Sequence, residues 1–90
     1  MPRYLIERTF ASACDLSDDA DGAQRRRARV ESDAAHGVIW LHSYVTPDRR
    51  RSFCIADGPS PEAIRAAADA AGLPVDRISE VRVLDPYFLT

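Results

Sequence analysis

Hydrophobic and polar positions along the chain fall into segments of two different periods. Residues 3–10 alternate and carry Tyr4, Ile6, Thr9 and Phe10, side chains that favour a strand. Residues 11–16 read as a loop. A helix is expected from about Ser17 to Ala35, capped by Ser17 or Asp15. Asp18, Asp19 and Asp21 suit the positive end of its dipole. Its apolar stripe begins with Leu16, Ala20 and Ala23, is interrupted by Arg27, and resumes at Val30 and Ala34. His36 and Gly37 form its stop, with the imidazole favouring the negative dipole end.

Val38 to Val45 is the clearest strand, dense in β-branched and aromatic residues. Thr46-Pro47-Asp48-Arg49 supplies turn chemistry, and Ser52 to Ala56 returns as the second arm of a hairpin. The second helix is sharply bounded. Ser60 is its cap, Pro61 occupies the first helical position, and Glu62 lies in the first turn. Ile64, Ala67, Ala68 and Ala71 recur at helical spacing, and Gly72 and Pro74 end it. A last strand is expected from Arg77 to Leu84. The order βαββαβ over residues 1–90 predicts one α+β domain with a ferredoxin-like sandwich. Its four-stranded antiparallel sheet has strands one and three in the middle and right-handed crossovers. Both helices cover one face and leave the other open.

Alternation along the strands then sorts side chains by face. Ile39, Leu41, Phe53, Ile55, Val81 and Val83 suit the covered face. Trp40, His42, Tyr44, Cys54, Glu80 and Arg82 are thereby expected on the open one. With Ile6 inward, Glu7 joins them. A thiol, an imidazole, a phenol and a carboxylate would then share one surface. The hairpin decides this: a two- or four-residue turn pairs Ser43 with Cys54, whereas a bulged loop pairs Cys54 with His42 or Tyr44. A slip of one residue dissolves the cluster.

Length and charge narrow the function. A 90-residue chain buries roughly 60% of its unfolded surface, so association through a sheet face is a natural way to bury more. Twelve basic residues, all arginine, oppose 14 acidic ones, giving a net charge of −2. No general attraction to nucleic acid or an acidic membrane follows. Asp21–Arg25, Arg27–Glu31 and Arg29–Asp33 are helical i, i+4 pairs, and a solvated face accounts for them. The Arg49-Arg50-Arg51 run belongs to a turn and a sheet edge. No Gly-rich phosphate loop precedes either helix. The N-terminal residues lack the apolar run of an export signal, so the cytoplasm is the expected compartment, where Cys14 and Cys54 remain thiols.

Imidazole, thiolate and carboxylate together favour nickel, copper, zinc or cobalt over magnesium or calcium. Cys54 with His42 is also the composition of a thiolate–imidazolium pair, although no third orienting group accompanies it. A cofactor-free enzyme or small-molecule module on the open face is the alternative function, with Trp40 and Tyr44 lining a pocket and His42 as acid or base.

The blocks Tyr4-Leu5-Ile6-Glu7-Arg8-Thr9-Phe10, Trp40-Leu41-His42-Ser43-Tyr44-Val45-Thr46-Pro47-Asp48, Phe53-Cys54-Ile55-Ala56, Pro61-Glu62-Ala63-Ile64-Arg65, Ala71-Gly72-Leu73-Pro74 and Ile78-Ser79-Glu80-Val81 keep their order along nearly the whole chain. Together they resemble a family of small bacterial proteins that includes a nickel-responsive, nickel-binding streptomycete protein. The resemblance implies a ferredoxin-like fold, a homodimer, and non-enzymatic binding of nickel or a related divalent transition metal for sequestration or sensing. Glu7, His42, Tyr44, Asp48 and Cys54 match the pattern and carry ligand chemistry. Residues 11–33 depart from it, being richer in arginine and aspartate, and Cys14 is private to this chain.

Overall fold

A computed structural model describes residues 1–14 and 19–87. Strand β1 (Arg3–Thr9) is followed by helix α1 (Ala20–Ala35), strands β2 (Ile39–Val45) and β3 (Arg51–Asp57), helix α2 (Pro61–Ala71) and strand β4 (Arg77–Val81). The strands form one antiparallel sheet in the order β2-β3-β1-β4, so β1 and β3 are central. This is a ferredoxin-like α+β fold. No described helix is long and apolar enough to cross a membrane.

Local chemistry explains most boundaries. The Ser60 hydroxyl accepts the Ala63 N–H at the start of α2, and Pro61 fills the first turn, where a missing N–H costs nothing. Gly72 closes the helix at φ 68°, a left-handed conformation that a side chain disfavours. Helix α1 starts at Ala20, capped by the Asp19 carboxylate on the Gly22 N–H. The expected start at Ser17, with Ser17 or Asp15 as cap and Leu16 in the stripe, lies outside the described residues. Strand β4 is shorter than expected and ends at Val81.

The core lies between the helices and one face of the sheet. Tyr4, Ile6, Val38, Cys54, Ala56, Ile64 and Ala67 form it, joined by the partly buried Ala63, Val75 and Ile78. From α2 the buried residues are Ile64, Ala67 and Ala68, as its spacing predicts, whereas Ala71 in the last turn is exposed. Helix α1 differs. Its buried positions are Gly22 and Asp33, with Arg29 partly buried on the same stripe. Val30 is exposed, as are Ala20 and Ala34. The face that α1 turns inward is therefore about 100° from the expected apolar stripe, at roughly 100° per residue. It carries charge rather than hydrocarbon.

The hairpin fixes which side chains go in. Thr46 and Arg51 close a four-residue loop, with the Thr46 N–H donating to the Arg51 carbonyl. Val45 then pairs with Ser52, Tyr44 with Phe53, and Ser43 with Cys54. Further along, His42 pairs with Ile55 and Trp40 with Ala56, so a bulge falls at Leu41. Ser52, Cys54 and Ala56 face the helices, while Phe53 and Ile55 face away. The expected facing of β3 is thus inverted. Trp40 lies on the covered side opposite Ala56, and Ile39 is on the open side. In β4, Val81 pairs with Arg3 on the open side and Glu80 with Tyr4 on the covered one, again the reverse of expectation.

Candidate functional site

On the open face, β1 presents Leu5 and Glu7, β3 presents Phe53 and Ile55, and β2 presents Ile39, His42 and Tyr44. Much of this surface is apolar. Ile39 is 52% exposed and Tyr44 65%, and Leu41 at the bulge is 41% exposed. The rings of His42 and Tyr44 meet edge to face with centroids 5.3 Å apart. Glu7, Phe53 and Tyr44 form one row across three strands, so the carboxylate and the phenol are separated by the whole width of β3. Glu7 is approached by the Arg51 guanidinium at 3.9 Å, and that group also lies over the Phe53 ring.

Asp48 sits in the hairpin loop, and its carboxylate is engaged there. It accepts from the Thr46 hydroxyl at 2.7 Å and the Arg50 N–H at 3.0 Å. The Thr46 hydroxyl first, then the Arg50 N–H, hold its carboxyl below the usual carboxylate range. Asp48 is a turn residue in this fold.

Cys54 is on the other side of the sheet from His42, 2% exposed beneath the helices. The expected site sharing His42 and Cys54 does not form, because the four-residue loop pairs Ser43 with Cys54. Nor does the expected pocket of Trp40, Tyr44 and His42, since the bulge keeps Trp40 on the covered side. No group of three or more His, Cys, Asp or Glu side chains able to hold a metal ion occurs among the described residues. Of the five candidates, the structure keeps Glu7, His42 and Tyr44 on one face, places Asp48 in a turn and moves Cys54 to the interior.

The covered side holds groups that alternation along β1 and β3 would have placed there together. Arg8 lies on the same face as Ile6, is 3% exposed, and donates to the Pro74 carbonyl at 2.7 Å. Burial pushes its guanidinium below its ordinary value. Asp33 is 6% exposed, and its carboxyl is pushed up by burial, against the pull of Arg29 and Arg8. Arg29 Nε is 3.8 Å from the Asp33 carboxylate, and its guanidinium lies over the Trp40 ring at 4.0 Å. The i, i+4 pair read as a solvated face is thus turned inward. Between α1 and the β2–β3 side of the sheet is a cavity of about 400 Å³, with Cys54, Arg29, Trp40, Ser43 and Cys14 among its walls.

These features define a ferredoxin-like α+β domain with an uncovered, largely apolar sheet face and a basic, thiol-bearing cavity under its first helix. Residues 4–81 match the family of nickel-responsive proteins described as SCO4226-like, and the chain belongs to that family. Its fold is similar to that in the crystal structure of SCO4226 from Streptomyces coelicolor A3(2), with a TM-score of 0.72 and 20% identity over 92% of this chain and 99% of that one. No curated protein matches the sequence.

Proposed function

We propose that this chain is a non-enzymatic, homodimeric binder of nickel or a related divalent transition metal, acting in sequestration or sensing through the open face of its sheet. The observation that carries this reading is His42. It is an exposed imidazole on the uncovered apolar face of a chain belonging to a nickel-responsive family. Imidazole with oxygen donors suits nickel-like ions. One chain offers too few donors: His42 and Tyr44 are adjacent, but Glu7 is a strand away. A twofold axis over the sheet would double the imidazoles and bury Ile39, Leu41 and Tyr44, since an isologous interface repeats each residue on both sides. Cys54, beneath the helices, has no part in this site.

Calorimetric titration of metal-free protein with Ni²⁺, together with sedimentation, tests the proposal. Saturable binding by a dimer is expected, and His42→Ala is expected to weaken it by at least about tenfold. Because an imidazole must be deprotonated to ligate, affinity is expected to fall as pH drops. Equal affinity in wild type and His42→Ala, or a monomer at every concentration, would overturn it.

A further inference from the structure

In the cavity under α1, polar side chains gather around the Cys54 sulfur, while Cys14 lies elsewhere on the wall. Ser52 Oγ is 3.7 Å from Cys54 Sγ, and Arg29 Nη2 is 3.9 Å away. Ser43 stands opposite Cys54 in the β2–β3 register, and its hydroxyl favours the thiolate. The Ser43 oxygen already accepts the Trp40 indole N–H at 2.9 Å, which leaves its own proton to point at the sulfur. Trp40 therefore serves twice, holding Arg29 by its ring face and Ser43 by its N–H.

Charge accounting points the same way. Arg8 from β1 and Arg29 from α1 act on the sulfur, Asp33 of α1 acts on both of them, and Arg25 and Arg26 of α1 also line the cavity. Ser43 of β2 and Ser52 of β3 contribute hydroxyls, and the buried positions of α2 are Ile64, Ala67 and Ala68. His36, at the end of α1, acts on Asp33. Two guanidiniums thus face one carboxylate that burial drives toward its neutral form. The Nε atoms of Arg8 and Arg29 are buried with no hydrogen-bond partner among the described residues. Such orphan donors are costly and call for an acceptor.

We propose that Cys54 is a modification site, a thiolate nucleophile that reacts with small hydroperoxides entering the cavity under α1. A sulfur lone pair forms a bond to the terminal peroxide oxygen as the O–O bond breaks. The leaving alkoxide or hydroxide takes the proton of the new S–OH group and departs as alcohol or water. Cys54 is left as a sulfenate, oxidised by the two electrons that reduce the peroxide. Arg29 stabilises the charge that develops on the leaving oxygen. The sulfenate oxygen adds an acceptor beside the two guanidiniums whose Nε atoms lack one. Burial pushes the thiol up, but the Ser43 hydroxyl, the Arg29 charge and hydrogen bond, and the Ser52 hydroxyl outweigh it and bring it below its ordinary value.

The test uses the full chain carrying Cys14→Ser, kept free of metal by chelator, so that only Cys54 reports. Alkylation by iodoacetamide is followed across pH, and hydrogen peroxide is added with dimedone as the sulfenate trap, read by intact mass. The expected result is a pH midpoint below that of free cysteine and a dimedone adduct formed at least about tenfold faster than for free cysteine. Arg29→Gln is expected to raise the midpoint and slow oxidation. Ser43→Ala provides a second, isosterically milder variant with the same predicted direction. A folded protein whose Cys54 reacts no faster than free cysteine, or only after denaturation, would overturn the proposal. So would unchanged kinetics in both variants.

Discussion

The two sides of strand β3 differ in size, charge and access. Toward the helices it presents Ser52, Cys54 and Ala56, all at most 4% exposed. Away from them it presents Arg51, Phe53, Ile55 and Asp57, larger side chains that remain half-buried or exposed. Cys54 and Ala56 of the small row share one core cluster with Ile64 and Ala67 of α2, and the Arg29 guanidinium of α1 reaches the thiol. On the large row no helix lies above the apolar groups. Polar groups are thus buried on one side of the strand and hydrocarbon is left partly exposed on the other. Burial raises the stakes of every charge on the covered side, whereas the same charges on the open side are solvated and cost little to change.

Substitutions of one kind on the two sides expose this asymmetry. Arg8→Ala removes a buried guanidinium that supports Asp33 and Cys54 and holds the Pro74 carbonyl, and is expected to cost about 3–5 kcal/mol in urea unfolding. Arg51→Ala, at the solvated pair with Glu7, is expected to cost less than about 1 kcal/mol. Comparable losses at the two positions would break the comparison. Ile64→Ala, at 2% exposure, is expected to lose about 2–5 kcal/mol through the cavity it leaves. Ile39→Ala on the open face is expected to change monomer stability by no more than about 0.5 kcal/mol.

Smaller effects follow from protonation. Cys54 has a lowered folded pKa, so the fold binds its thiolate preferentially. The resulting stability is fully present above the unfolded thiol pKa and is lost as pH falls through the folded one. In the Cys14→Ser background, stability measured by urea midpoints is expected to rise with pH across that window. Cys54→Ser should remove the slope. The smallest effect belongs to the open side. Asp57 is held below its ordinary value first by the Arg3 hydrogen bond at 2.8 Å. That contribution is present above the unfolded carboxylate pKa and lost as pH falls through the lowered one, so Arg3→Gln should show a small loss of stability at neutral pH that vanishes in acid.

Much of the fold is legible in the chain because its signals are local. Ser60-Pro61 and Gly72 delimit α2 by capping chemistry that does not depend on the rest of the molecule. Alternation finds the strands, and the block order identifies the topology. The facing of those strands is less legible, because it depends on register. A bulge at Leu41 leaves Trp40 covered while His42 and Tyr44 stay open, and no residue type at that point announces it. The four-residue loop at Pro47–Arg50 decides the fate of Cys54, and the turn residues alone permit a bulged loop as well. In α1 the expectation that the apolar stripe turns inward fails because Arg29 and Asp33 are turned inward instead, where Arg29 meets the Trp40 ring and the Cys54 sulfur. A readable signal did exist: Arg8 shares the parity of Tyr4 and Ile6 in β1, which places it inside whenever Ile6 is.

Segregation of imidazole and thiol onto opposite sides of the sheet is the claim on which both functional readings depend. Its most direct test is a Ni²⁺ titration of reduced protein followed by near-ultraviolet absorption, where thiolate ligation gives a sulfur-to-nickel charge-transfer band. The expected result is binding without that band, weakened by His42→Ala and unchanged by Cys54→Ser. A charge-transfer band that disappears in Cys54→Ser would place thiol and metal together and contradict the account.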